Sequence, residues 1–482
     1  MLPGLSRGRT STPRGGSVEI NTGNTAWLLL SSALVLLMTP GLALFYGGLN
    51  RSKGVLNMMM MSFSAIGLIS VLWVIYGFTL AFGTNDSAGA NNVIGSFTQY
   101  FGTQTNFIGE EWLFLGAGTG IPTYVFMVFQ MMFAVITVAL ISGAVSDRLK
   151  FSGWLLFAFA WFTLVYVPVA HWVWGGGFIG SKIKALDFAG GTAVHINAGA
   201  AGLGLVLILG KRIGWPKESF KPHNVPLVAL GAGLLWFGWF GFNAGSELTV
   251  DGTTAVAFVN TQVATAAGLL GWAIVEWLRN GRPTLVGASS GAVAGLVAIT
   301  PACGFIAPLP AVLLGLVAGA VCAVAVGLKY RLGFDDSLDV VGVHFVAGWI
   351  GSLSIGLFAT LQVNSAIEGL GASEGLFYGG GVTQLGRQAL ASGIVSVYSF
   401  GVAALIALVI KKTIGLRSDA EDEVAGIDVA EHAESAYDLS PTTGSSAGGA
   451  FAMAGIGATK PAPESAGPAD EPAEPVSEKV AG

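Results

Sequence analysis

Asp187-Phe-Ala-Gly-Gly-Thr-Ala-Val-His195-Ile-Asn-Ala-Gly199-Ala-Ala-Gly202 sets an acid and a histidine inside a long apolar run with no other charge. The pattern returns at Asp339-Val-Val-Gly-Val-His344-Phe-Val-Ala-Gly348-Trp-Ile-Gly351, where Val-His-x-x-Ala-Gly-x-x-Gly is repeated with an aspartate a few residues upstream. The chain has five histidines, and two of them hold the same place in two otherwise unlike segments. Any account of the fold must explain why an apolar segment carrying one buried histidine occurs twice.

The surrounding composition says what kind of segment this is. Of 482 residues 53% are hydrophobic and 11% charged, the latter about half the share of an ordinary soluble chain, and the mean hydropathy is +0.68. This is the composition of a membrane protein. The 71 glycines suit helices that pack closely where lipid removes the hydrophobic drive between them. The net charge of -5 says little about partners, because charge lies in loops and tails. Cys303 and Cys322 are the only cysteines and fit neither a metal spacing nor a disulfide framework. There is no phosphate-binding glycine loop, no Ser/His/Asp set, no metal-ligand cluster and no basic nucleic-acid patch. The sequence therefore predicts no enzyme, no cofactor, no metal and no nucleic-acid partner.

Apolar spans follow near 25-47, 55-82, 121-145, 152-172, 192-210, 225-243, 254-277, 285-300, 309-328, 341-361 and 386-410, each about long enough to cross roughly 30 Å of hydrocarbon as helix. The span at 285-300 is the shortest and is rich in Ser and Gly. The expected fold class is thus an all-α polytopic membrane protein with eleven transmembrane helices. Basic residues cluster after odd-numbered spans, at Arg51/Lys53, Arg148/Lys150, Lys211/Arg212/Lys217/Lys221, Arg279/Arg282, Lys329/Arg331 and Lys411/Lys412, with Lys182, Lys184 and Arg387 as the few exceptions on the alternate loops. By the positive-inside rule the N-terminus is outside and the C-terminus inside. The basic head, with Arg7, Arg9 and Arg14, is the one misfit, and a start codon assigned too far upstream would account for it. His195 then lies on an inward-running span and His344 on an outward-running one, so spans one to five and six to ten read as two inverted five-helix repeats plus one extra helix. Such folds place their site near the midplane at the repeat interface. The expected divisions are a disordered head at 1-22, a membrane domain at 23-412, an ordered cytoplasmic region at 413-437 and a disordered low-complexity tail at 438-482.

Two facing imidazoles can hydrogen-bond each other and still offer a polar edge to something small in an apolar lumen. A lone histidine is more often a satisfied core residue, but a repeated pair at membrane depth is a site candidate. Asp187 sits at the outer mouth beside Gly190, Gly191 and Thr192, where a helix begins. Spacing alone reads it as a carboxylate satisfying backbone donors, and a field that favours a cation is compatible with that. Asp339 reads as its inverted, structural counterpart. Three aromatic runs, around Phe129-Gln130 and Phe133, His171-Trp-Val-Trp174, and Gly238-Trp-Phe-Gly-Phe242-Asn243-Ala-Gly-Ser246, are interrupted by polar side chains and glycines. That suits a lined vestibule, since aromatic faces attract a cation by roughly 0.5-2 kcal/mol each.

With these residues assembled, the chain resembles the ammonium transporter family (Amt/Mep/Rh), and its bacterial Amt branch in particular, over about Ala26 to Tyr437. The Asp187 to Gly199 stretch matches the family signature, and Phe45-Tyr46-Gly-Gly-Leu, Gly241-Phe-Asn-Ala-Gly-Ser246 and Thr300-Pro-Ala-Cys-Gly agree with it. The resemblance implies an ammonium transporter of the cell (inner or plasma) membrane. It implies an outer recruitment site at Phe133, Trp174 and Ser246 supported by Asp187, a phenyl gate of Phe133 and Phe242, and a pore with the twin histidines His195 and His344. It further implies a homotrimer in the lipid bilayer, with PII signal proteins as cytoplasmic partners. The spacing from Trp174 to Asp187 is one residue longer than the family pattern. The segment Gly415-Leu-Arg417 through Gly426-Ile-Asp428 to His432-Ala-Glu434-Ser-Ala-Tyr437 resembles the family's ordered C-terminal region, with Ala433 where Gly is expected. It is expected to fold against the loops at Lys211-Arg212 and Lys217-Lys221. Two other readings are weighed against this one. In one, the chain is an ammonium sensor signalling through its cytosolic tail with little flux. In the other, it is a sodium-coupled solute transporter, which would need a larger pocket and broken, charged helices that are not evident.

Overall fold

The computed structural model describes residues 20-102, 110-114 and 117-437. Most of the head expected at 1-22 and the whole of the tail expected at 438-482 lie outside the described residues. Asn21 Oδ1 accepts the Asn24 N–H (3.0 Å) and caps a helix that starts at Thr22.

The apolar runs become α1 (Thr22–Leu49), α2 (Val55–Phe82), α3 (Thr123–Ala144), α4 (Phe151–Val173), α5 (Gly191–Leu209), α6 (Val225–Glu247), α7 (Gly252–Asn280), the shorter α8 (Leu285–Ile299), α9 (Pro308–Leu332), α10 (Val341–Phe358) and α11 (Thr383–Thr413). Among the described residues, ten of these are long and apolar enough to cross a membrane, and α8 has 15 residues. Helix is what an apolar solvent demands, since every backbone N–H and C=O must be paired within the segment. Several ends are set by polar caps. Asp251 and Thr254 form a capping box at the start of α7, and Thr284 Oγ1 accepts from Gly287 N (2.9 Å) at the start of α8. Large apolar side chains such as Leu30, Phe63, Leu164, Phe237, Leu270 and Val397 are exposed, which a bilayer accommodates and water would not.

Packing uses glycine where two helices touch. Along α7 and α9, a Cβ at Gly319 would lie 2.0 Å from the Gly268 carbonyl oxygen, and one at Gly315 2.1 Å from that of Ala264. Along α1 and α6, a Cβ at Gly231 would lie 2.3 Å from Phe45 N. These contacts are backbone on backbone, so no side-chain rotation relieves them. Gly319→Val is expected to lower stability by about 1-3 kcal/mol, read as a lower melting temperature by size exclusion after heating in detergent. An unchanged melting temperature would show the helices free to separate there.

The loops after α1, α3, α5 and α9 meet at one end of the bundle. Arg51 pairs with Asp147 (2.9 Å), Arg212 with Asp335 (2.8 Å) and Asp147 (3.5 Å), and the wholly buried Arg148 with Asp335 (3.9 Å). Burial pushes the Arg148 guanidinium down to about 10, Asp335 opposing it. Two short helices, α12 (Ala420–Ala425) and α13 (Ile427–His432), lie on this same end. Between α2 and α3 the described chain forms a two-stranded antiparallel hairpin, β1 (Glu111–Phe114) and β2 (Ala117–Pro122).

Candidate functional site

Both histidine helices begin in the same unusual way. The first turns of α5, Gly191–Ile196, and of α10, Val341–Phe345, are wide π-helical turns, and each carries its histidine. A wide turn displaces one residue from the regular helical face and is frequent at functional sites. The two rings lie with centroids 5.4 Å apart at 18°, and Nδ1 of His344 is 3.3 Å from Nδ1 of His195. One of these nitrogens must carry the proton and donate to the other. His195 Nε2 has no hydrogen-bond partner among the described residues. Both side chains are buried, and both border a narrow cavity lined otherwise by apolar groups such as Leu42, Ile136, Leu140, Val194, Leu235 and Val293. Trp239 stacks on His195 at 5.4 Å and is held by its indole N–H donating to Thr300 Oγ1 (2.8 Å).

Above the cavity the aromatic residues form a line. Phe242 is 6.2 Å from the His195 ring and stacks on Phe133 at 4.1 Å and 26°, and Phe133 meets the Trp174 ring edge-on at 6.2 Å and 89°. Phe133 and Phe242 are buried while Trp174 and Ser246 are partly exposed. The Ser246 hydroxyl donates to the Phe242 carbonyl (2.8 Å), which leaves its oxygen lone pairs as acceptors. The sequence-singled residues Trp174, Phe133, Phe242, His195 and His344 therefore follow one another in space, from the partly exposed end of the bundle to its interior.

Asp187 organises this line without standing in it. Its Oδ1 accepts from Gly190 N (2.8 Å) and Gly191 N (2.7 Å), and its Oδ2 from Thr192 N (2.8 Å) and Ala193 N (3.0 Å). Burial pushes its carboxyl above the ordinary aspartate range, and the four donors pull back. The turn it closes needs Gly190, whose φ is +116°. Its carbonyl accepts the Trp174 indole N–H (2.9 Å), so one residue ties the outer tryptophan to the first turn of the helix that carries His195.

The corresponding acid before His344 is not Asp339. The carboxylate of Asp336 accepts from Val340 N (3.1 Å) and Val341 N (2.7 Å) at the start of α10, whereas Asp339, at φ +63°, pairs with Lys329 Nζ (2.6 Å). Burial pushes Asp336 up to about 6, with Lys329 opposing. Asp336 precedes His344 by the same eight residues that separate Asp187 from His195, a spacing that identifies it without the structure.

The model of the Ammonium Transporter Family matches residues 26-437. This chain belongs to the ammonium transporter family. An ammonium transporter of Mycobacterium tuberculosis (strain ATCC 25618 / H37Rv) is 56% identical over 447 residues, covering 88% of this chain and 92% of that one. The crystal structure of Candida albicans Mep2 superposes with a TM-score of 0.74 at 34% identity, covering 84% of this chain and 88% of Mep2. A structure titled sensor Amt protein superposes with a TM-score of 0.75 at 29% identity, covering 86% of this chain and 98% of that one. Family membership and the ten apolar helices make the chain a multi-pass protein of the plasma membrane. The family is one of membrane transporters, not of enzymes.

Proposed function

We propose that the chain recruits ammonium from outside at Phe133, Trp174 and Ser246, strips a proton from it at the Phe133/Phe242 gate, and conducts ammonia past His195 and His344. The observation that carries this reading is a closed phenyl stack over a narrow, apolar cavity whose polar lining is the histidine pair. Potassium matches ammonium in charge and nearly in size, so neither property alone separates them. Ammonium can donate hydrogen bonds to Ser246 Oγ and give up a proton, and potassium can do neither. An intact ion in an apolar lumen lacks the solvation it had in water, whereas neutral ammonia crosses at small cost. The proton then either returns outside or travels separately, and current recording on proteoliposomes distinguishes the two.

The same reading takes eleven crossings, with α8 as the shortest, N-terminus outside and C-terminus inside, and α1 to α5 related to α6 to α10 by inversion. The matched wide turns, histidines and capping acids of α5 and α10 support the inversion. A homotrimer, and a PII signal protein docking on the cytoplasmic end, complete it. The second reading, an ammonium sensor with little flux, draws on the likeness to the solved sensor Amt protein. Flux and binding measured on one proteoliposome preparation decide between them, since a sensor binds ammonium without moving it.

His195→Asp and His344→Glu are expected to admit potassium, because a carboxylate draws water and cations into the lumen. Potassium uptake should rise above background while ammonium selectivity falls. Background potassium uptake in both variants would remove the histidines from the filter.

A further inference from the structure

Resting on the reading just given, deprotonation at the gate needs a proton acceptor on the outer side, and Asp187 is not free to be one. Its two oxygens hold four backbone N–H groups, so a proton could bind there only by displacing a donor from the turn that starts α5. We propose that the acceptor is the carboxylate of Glu247.

Glu247 follows Ser246 in the 3-10 turn Gly245–Glu247 that ends α6. Consecutive Cα atoms are about 3.8 Å apart, so a glutamate side chain is long enough to reach a cation held on the Ser246 hydroxyl. The side chain is partly buried, and among the described residues it has neither a hydrogen-bond donor nor a basic partner. Three other acids on the connecting loops are committed. Asp251 takes the Thr253 and Thr254 N–H groups, Glu374 takes Leu361 N and the Thr360 hydroxyl, and Glu111 takes Gly120 N. The position of Glu247 is marked from a second side by Cys303, whose thiol is pushed up by burial and then further by Glu247 and Asp187. Both carboxylates therefore bear on one point in the turn 300-304, which is itself bound to the Asp187 loop by Phe188 N donating to the Pro301 carbonyl (3.1 Å). The titratable groups facing Glu247 are Asp251, which caps the start of α7, and Cys303.

In the proposed step an N–H bond of ammonium breaks and its electron pair stays on nitrogen. The proton forms an O–H bond on Glu247, ammonia passes the gate, and the carboxylic acid discharges to external water. Transfer converts an ion pair into two neutral molecules, which a site walled by aromatic rings favours over keeping both charges.

The test is methylammonium uptake by proteoliposomes holding the full chain, Glu247→Gln or Glu247→Asp. Glutamine is expected to cut the maximal rate by on the order of tenfold or more with the half-saturation concentration little changed, and aspartate to restore part of it. The wild-type rate should fall as external pH is lowered through the titration of Glu247, while the glutamine variant is flat. A wild-type maximal rate in Glu247→Gln would overturn the assignment. So would a loss confined to half-saturation, which would mark a charge that only gathers cations. Absence of uptake by the wild type would instead remove the transport reading itself.

Discussion

Asp187→Ala is expected to bring ammonium uptake to background and to lower the melting temperature of the purified protein. The four N–H groups that its carboxylate holds come from Gly190, Gly191, Thr192 and Ala193, and water reaches this partly buried turn poorly. Each buried donor left without a partner costs about 1-3 kcal/mol, so the turn is expected to rearrange. That rearrangement moves both ends of the site, because Trp174 hangs on the Asp187 carbonyl and His195 lies two residues beyond Ala193. Asparagine keeps one acceptor oxygen and sets an amide N–H₂ against the remaining donors, so Asp187→Asn should be milder and still defective. Uptake at the wild-type rate by an Asp187→Ala protein that elutes normally on size exclusion would show the acid to be dispensable.

The helical membrane class was legible because apolar runs in lipid have one backbone solution. Helix ends were less so. The apolar run of α7 fades near 277, yet the helix continues to Asn280 and stops where Gly281 takes φ +74°, since the run marks the hydrocarbon while the backbone marks the helix. The histidine pair stood out by repetition, and the wide turns that carry both histidines have no signature in composition. Asp339 is the nearest acid upstream of His344, although the eight-residue spacing points to Asp336. Nothing in the sequence sets Glu247 apart from the other loop acids, because lacking a partner is a property of the folded neighbourhood.

The segment after α11 makes the second large prediction, since it supplies what two transmembrane helices lack. Gly54 before α2 and Lys150 before α4 have no side chain to cap those helices. Asp428 on α13 accepts from Leu56 N (3.0 Å) and Asn57 N (2.8 Å) in the first turn of α2, and Glu431 accepts from Phe151 N (3.1 Å) at the start of α4. Glu423 on α12 binds Arg417 (2.6 Å) and accepts from Ile213 N (2.7 Å), while Leu416 and Ser418 pair with the 148-150 backbone. His432 reaches Asn57 Oδ1 (3.0 Å), and the Tyr437 hydroxyl meets His223 (2.8 Å). Among the described residues the bonds of this segment reach 51-57, 148-151, 213 and 223, so they touch the loop that carries Lys211-Arg212 and Lys217-Lys221 at its flanks, without a bond to the Lys217 or Lys221 side chain. Acids at helix starts gain from both the free N–H groups and the helix dipole, and each lost cap costs about 0.5-2 kcal/mol. A chain ending after Lys412 is therefore expected to lose most of its uptake and its affinity for a PII protein, while one ending after Tyr437 keeps both. If the two truncations transport equally and bind PII equally, these contacts only tether a linker, and α2 and α4 hold their starts without them.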